Sequence, residues 1–436
     1  MALTIIICAL TALLGMISVL IKPEFSLGKL KLGTYWVVAF VGAVLLLITG
    51  CLPFGELIGG LTQNTSVNRL KILVLFFSMT SLSIYLVVLG FFRFLANAVL
   101  KKAGHNQKTL FLMLYLTVSV LTVFTSNDII ILTFTPFICF FAKKAKISPL
   151  PYLIAEFVAA NTWSMALIIG NPTNIYLASS AGVDFMQYLK VMALPTIAAG
   201  VVSFVVLYAI FHKKMREEIT PNVSDEPVRD KTLLVVGIVH LALCTILLTV
   251  SSYIKLDMWI ISFGFALSLF ITTTVICLVR RKPISILYRT FARLPFELIP
   301  FVISMFTIVL SLEFAGVTSV IANMFTDKFA TLSFGFMSFI SANIINNIPM
   351  SVLFSSVLEN TKLSYEGYMQ GLYACIAGSN IGAYLTPVGA LAGIMWSSIL
   401  KRYGIDLSFK DFVKYGFTVS IPALLSVLLV VHFSFC

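Results

Sequence analysis

The sequence predicts an all-α, polytopic membrane protein with about ten transmembrane helices, two re-entrant hairpins and an inverted repeat. Three observations predict it. The 436 residues are 59% hydrophobic and only 11% charged, with mean hydropathy +1.01, a composition outside the range of soluble domains. The apolar residues fall in runs near the roughly 20 residues that a bilayer requires, not in the short alternating segments of a barrel. Polar, helix-breaking segments interrupt these runs at matched places: Asn127 and Asn346, Asn161 and Asn380, and Gly170 and Gly389 are each 219 residues apart.

In chain order the candidate spans are 2–21, 34–52, 70–100, 150–180, 187–212, 232–251, 257–279, 296–324, 367–400 and 411–435. The first has no basic segment before it and reads as a retained span rather than a cleaved signal peptide. Two further apolar stretches, 109–142 and 330–358, are interrupted near their centres. Each half is about 15 residues, short of a span, so both read as re-entrant hairpins. Charge supports this arrangement. With loop 213–231 in the cytoplasm and both hairpins re-entrant, 23 Lys and Arg residues lie inside and six outside, with Arg93 within a span; this is the positive-inside bias. It places both termini outside and the protein in the cell (inner) membrane.

The same count opens the two hairpins to opposite sides. Four units follow: an extra span at 1–33; a first repeat at 34–212 with hairpin 109–142; a cytoplasmic linker and extra span at 213–256; and a second, inverted repeat at 257–436 with hairpin 330–358. Gly90 to Asn97 resembles Gly316 to Asn323, in keeping with the repeat. The stretch with Thr220, Pro221 and Asn222 reads as linker. The net charge of +12 belongs to topology, not to nucleic acid. The seven cysteines are scattered with no metal-ligand spacing.

Irregular polar backbone at membrane depth is tolerated where it faces protein or a watery cavity, and a matched pair of such breaks points to a secondary transporter's binding site. Ser126, Asn127 and Asp128 form one hairpin tip; Asn346, Asn347 and Pro349 form the other. Asn amides supply donors and an acceptor, and Pro349 fits the first turn of the helix that follows. Gly170 to Asn174 and Thr386 to Gly389 break the long spans 150–180 and 367–400. Asp128 is the only acidic residue at either tip, able to carry a proton, attract Na⁺ or cap the next half-helix. Glu156 reads as an interfacial residue near Lys146, and Arg93 as a snorkelling one. Glu313 lies near the outer end of its span, and His240 reads as packing. No phosphate loop, nucleotide fingerprint or catalytic triad is present, which disfavours an intramembrane enzyme; a scaffold is disfavoured by the matched breaks.

These segments resemble the arsenite/antimonite efflux permeases of the ion transporter superfamily. The Asn-Asp tip with Thr135 and Pro136, the Asn-Asn-x-Pro tip and the run from Gly378 through Gly389 carry the likeness. Ile169 to Asn174 also resembles a signature of the divalent anion:sodium symporters. The resemblance implies a midplane site, elevator-type motion and a homodimer, with H⁺ or Na⁺ as coupling ion and no cofactor. A soluble ATPase partner belongs to the arsenite reading. Substrate or ion contacts carried over by position are Ser126, Asn127, Asp128, Gly170, Asn171, Thr173, Asn346, Asn347, Asn380, Thr386 and Gly389, with Asn127, Asp128 and Asn346 as candidate Na⁺ ligands. The chain departs from the carboxylate symporters at both tips and after Gly389. A small inorganic ion or oxyanion is therefore the expected substrate, with a sodium/proton antiporter and a sodium-coupled carboxylate symporter as alternatives.

Overall fold

The computed structural model describes residues 1–22, 24–27, 30–62, 68–216, 219, 230–251 and 253–435. Most of the expected linker, including Thr220, Pro221 and Asn222, lies outside the described residues. Helix α1 (Ala2–Ile21) is followed by a short antiparallel hairpin of β1 (Glu24–Leu27) and β2 (Leu30–Gly33). This is the one departure from all-α expectation among the described residues. Next come α2 (Thr34–Ile48), α3 (Phe54–Thr62), α4 (Arg69–Leu89), α5 (Phe91–Ala103), α6 (Gln107–Phe124), α7 (Asn127–Ala145), α8 (Leu150–Trp163), α9 (Pro172–Ser180) and α10 (Phe185–Phe211). The second half holds α11 (Lys231–Thr249), α12 (Met258–Val279), α13 (Ser285–Phe291), α14 (Leu298–Phe314), α15 (Val317–Ala322), α16 (Ala330–Ile345), α17 (Asn347–Glu359), α18 (Tyr365–Gly382), α19 (Leu391–Arg402) and α20 (Phe409–Phe433).

Two expected spans divide. Span 70–100 becomes α4 and α5, and span 296–324 becomes α14 and α15. The breaks fall at Gly90 (φ 86°) and Gly316 (φ 76°), in the left-handed region that suits a residue without Cβ. These glycines open the two similar eight-residue segments seen in the sequence. Helices α3 and α13 were not expected.

Among the described residues, seven helices are long and apolar enough to cross a membrane, and α2 and α14 are shorter apolar ones. Their surfaces fit lipid. On α12, Ile260, Phe263, Leu267, Ile271, Val275 and Leu278 are exposed along one stripe, while Ser262, Thr273 and Cys277 are buried. That inverts the soluble pattern. The protein is a multi-pass membrane protein.

Packing partners come in matching pairs. Helix α2 packs on α14 and α12 on α4; α6 packs on α8 and α16 on α18; α10 packs on both α8 and α20, and α20 on α18. The second arm of each helical pair reaches across to the other half: α7 packs on α19, and α17 on α9. The arms differ from the expected 15 residues: α6 and α7 have 18 and 19, α16 and α17 have 16 and 13.

Candidate functional site

Both long breaks form as irregular backbone. Helix α8 ends at Trp163 and α9 begins at Pro172, with a single 3-10 turn at Ile168–Gly170 between them. Helix α18 ends at Gly382 and α19 begins at Leu391. Both ends of the two breaks keep the 219-residue spacing. Glycine is required by close approach. A Cβ at Gly170 would strike the Ser164 carbonyl, and one at Gly389 would lie 2.7 Å from the Gly382 carbonyl and 2.8 Å from Asn343 Oδ1.

The predicted residues gather into three groups, the first two of them linked. At the first tip, the buried Asn127 donates from Nδ2 to Asn161 Oδ1 (3.0 Å), and its Oδ1 accepts from the Asp128 amide (2.9 Å). Asn161 is anchored in turn to the Phe157 carbonyl (2.8 Å). Asp128 sits in the first turn of α7, where the helix dipole favours its charge. It lines a cavity of about 90 Å³ with Ser126, Thr80, Tyr35 and Arg293, and it acts electrostatically on Tyr35. Tyr35 also donates to Glu297 (3.3 Å).

The second group centres on Asn380, fully buried on α18. Its Oδ1 accepts from Ser164 Oγ (2.9 Å) and Asn171 Nδ2 (3.0 Å). Its Nδ2 donates to Asn174 Oδ1 (2.7 Å) and the Ile376 carbonyl (2.8 Å). Asn174 closes the loop onto the carbonyls of Ser164 (2.8 Å) and Leu167 (3.2 Å). Asn171 caps α9 by accepting from the Thr173 amide (3.2 Å). The Thr173 hydroxyl is buried there without a hydrogen-bond partner, an uncommon state for a buried polar group.

At the second tip, Asn346 adopts φ 73° and donates to the Val388 carbonyl (3.0 Å), and the Asn347 amide donates to the Gly389 carbonyl (3.0 Å). Asn343 stitches the break itself. It donates to the Gly382 carbonyl (3.0 Å) and accepts from the Thr386 amide (3.1 Å) and hydroxyl (2.8 Å). The second tip thus docks on the break of its own half and the first on Asn161 near the end of α8, while Asn380 of the second half secures the break of the first. Ser164 joins the first two groups, donating to the Asn161 carbonyl (2.8 Å) as well as to Asn380.

Sequence reasoning missed Ser164, Asn174, Asn343 and Arg293 as site residues. Asn174 and Asn343 stood inside the recognised segments, a usable signal; Ser164 and Arg293 carried none. Glu156 is a correction. It is fully buried, accepting from Thr135 and Trp396, not interfacial beside Lys146. His240 bonds the Val236 carbonyl (2.8 Å) and Ser268 (3.3 Å), as packing requires. Arg93 is exposed on α5, and Glu313 is half-buried near the end of α14. Among the described residues, no cluster of His, Cys, Asp and Glu suits a metal ion.

Membrane helices that pair off between halves, with broken helices meeting Asn-bearing tips, define a polytopic membrane transporter. The chain belongs to the citrate transporter family, CitMHS, whose profile matches residues 30–371. It is 25% identical over 407 residues to the arsenical pump membrane protein of Escherichia coli (strain K12), covering 90% of this chain and 92% of that one. Against the arsenical pump membrane protein of Yersinia enterocolitica it is 24% identical over 401 residues, covering 88% and 90%. In fold it is similar to the YdaH transporter of Alcanivorax borkumensis, with TM-score 0.57, 12% identity, and 99% and 97% of the chains covered. Membership in this family makes the bilayer its setting and an ion or anion its substrate class.

Proposed function

We propose that the protein is a secondary active transporter of a small inorganic oxyanion or its oxyacid, with arsenite-type efflux as its activity. The coupling ion is H⁺ or Na⁺, and access alternates by an elevator-type movement of the two tip-and-break assemblies. One observation carries the reading: each Asn tip is hydrogen-bonded at or beside an unwound segment, the first to Asn161 near the end of α8 and the second to Val388 within its break, with Asp128 as the acidic residue at the first tip. Amides, hydroxyls and backbone ends with a single basic residue, Arg293, beside Asp128 suit a small polyhydroxylated solute or a monovalent cation better than a tricarboxylate, which calls for several fixed cations. The relatives named as arsenical pumps point the same way. The unpartnered Thr173 hydroxyl would gain a partner from bound substrate or ion.

On this reading the halves, 34–212 and 257–436, are inverted repeats, and 1–33 and 213–256 lie outside them. The matching packing pairs support it. The helical pairs α6–α7 and α16–α17 are re-entrant from opposite sides, the termini lie outside, and the membrane is the cell (inner) membrane. The assembly is a homodimer, with a soluble ATPase as an optional partner of the arsenite activity. The family description favours a second reading, a sodium-coupled carboxylate symporter, and Asp128 alone would serve a sodium/proton antiporter.

Purified protein in liposomes with imposed proton or sodium gradients separates the three. Arsenite or antimonite flux that follows one gradient supports the proposal. Citrate flux driven by sodium, or proton–sodium exchange with no added solute, replaces it with the corresponding alternative. Cysteines placed in 143–149 and 359–366 test the inversion: labelling of both loops from one side refutes it.

A further inference from the structure

Glu156 lies outside the tip-and-break network, yet it is the most completely buried carboxyl among the described residues, with 0% exposure. Two other elements close on it. Thr135 of α7 places its hydroxyl 2.9 Å from one carboxyl oxygen and 3.0 Å from the other. Trp396 of α19 donates its indole N–H to Oε2 at 3.3 Å. The Trp396 ring also packs on Phe157, with centroids 5.0 Å apart.

The hydrogen-bond inventory decides what state this pocket holds. A carboxylate offers four lone-pair sites and demands donors. Here two donors serve them, and no cation does. The basic residues on the elements that pack around this site, α20 included through Phe412, are Lys108, Lys143, Lys144, Lys190, Lys401, Arg402, Lys410, Lys414 and His432, all exposed. The acidic ones are Asp128, half-buried on α7, and Glu366 and Asp411, exposed on α18 and α20. The buried titratable side chains there are Tyr115, Cys139, Tyr152, Tyr188, Tyr373 and Cys375, none of them a positive charge. A neutral carboxyl lowers that demand: protonated on Oε1 it lies 2.9 Å from the Thr135 hydroxyl oxygen, which can accept, and its Oε2 accepts from Trp396. An ionised one would sit fully buried with no cation beside it, at high cost.

The contacts also tie the carboxyl to movement. Thr135 stands on the second arm of the first helical pair, Glu156 on the first part of one broken helix, and Trp396 beyond the break of the other. Thr135 is seven residues from Asp128, on the same face of α7 and about 10 Å along it. Trp396 borders a cavity of about 220 Å³ that the polar residues Lys401, Asp406 and Ser397 also line. The second half has no copy of the device: 219 residues after Glu156 stands Cys375.

We infer that Glu156 is a proton-binding site, closed by Thr135 and Trp396, that exchanges its proton through the Trp396 cavity when α19 shifts against α7. The inference rests on the transporter reading and makes H⁺ its coupling ion, with Asp128 handling substrate or ion at the tip.

Infrared pH-difference spectra of the full chain in lipid test the site without any substrate. Wild type should show a protonated-carboxyl stretch that Glu156→Gln removes and Asp128→Asn retains. A spectrum unchanged by Glu156→Gln overturns the inference. Liposome flux tests the coupling. Glu156→Gln copies the neutral carboxyl, so it should keep substrate exchange within about twofold yet lose at least tenfold of proton-driven net flux; wild-type net flux refutes the coupling role. Trp396→Phe, which keeps the carboxyl and removes one donor, should displace the pH profile of net flux, and an unmoved profile counts against the site. A wild type that moves no tested solute sinks the transport reading, and the infrared band then decides the proton site by itself.

Discussion

Replacing Asn380 with Ala should be the most damaging single truncation in the polar network, and its cost can be worked from the contacts. Four hydrogen bonds end on this side chain. Two of the partners have other bonds: Ser164 Oγ keeps the Asn161 carbonyl at 2.8 Å, and the Ile376 carbonyl stays in the α18 ladder. The other two are orphaned. Asn171 Nδ2 loses its acceptor and Asn174 Oδ1 its donor, in a place with no exposure. Each buried orphan costs about 1–3 kcal/mol, so the substitution should destabilise the fold by roughly 2–6 kcal/mol. Asn161→Ala, at the matching position, orphans one group, Asn127 Nδ2, and should cost about 1–3 kcal/mol. The assay is the folding equilibrium in mixed detergent, followed by circular dichroism, with flux measured on the folded fraction. A cost for Asn380→Ala no greater than for Asn161→Ala would refute the accounting. So would full stability in both.

Asn127→Ala and Asn346→Ala should each abolish or greatly weaken liposome transport while leaving expression and helix content largely intact; unchanged affinity and rate in both would make the tips structural turns. Asp128→Asn should remove the ion dependence set at the first tip, and flux with the wild-type response to both gradients would exclude Asp128. Gly389→Ala should force the second break apart, because its Cβ meets the backbone carbonyl of Gly382 at 2.7 Å; a melting curve and flux like wild type would count against that close packing. Burial acts to raise the Asp230 carboxyl, but the Lys282 ammonium and the amides of Leu233 and Thr232 outweigh it and hold it below the usual Asp range. Its stabilising effect is therefore present above that range and lost as pH falls through the lowered value. Asp230→Ala should remove the cap of α11, at roughly 0.5–2 kcal/mol, and a denaturation midpoint unchanged at pH 7 would contradict this.

The frame was legible because a break in an apolar run cannot be hidden. Gly170 to Asn174 and Thr386 to Gly389 announced unwound backbone, and the helices do stop at Trp163 and Gly382 and resume at Pro172 and Leu391. The split at Gly90 was readable from its likeness to Gly316, but an apolar run continues across both, so periodicity passed over them. Partners were not legible at all. That Asn380 serves Asn171 and Asn174 of the other half, rather than the tip beside it, depends on helices some 200 residues apart in sequence. Glu156 was misread for the same reason. Its neighbours in sequence include exposed lysines, but its neighbours in space are Thr135 and Trp396.

The two halves share a frame but not a chemistry. Matching helices pack in matching ways, and the two long breaks keep one spacing at both ends. Yet the residues 219 positions after Asp128 and Glu156 are Asn347 and Cys375. Asp128 and Glu156 therefore both sit in the first half, on or against α7, and the second half contributes amides, a backbone break, one indole and, at the Asp128 cavity, Arg293. A strictly symmetric transporter would present equal charge at both tips and would gain nothing from switching between its two inverted states. On the proposed elevator reading, confining these two carboxyls to one tip and one arm would give the two states different proton and ion affinities, because α19 covers Glu156 from the other half. A ligand shifts such an equilibrium only by its differential affinity for the two states. The asymmetry between Asp128 and Asn347, and between Glu156 and Cys375, is where that difference is built.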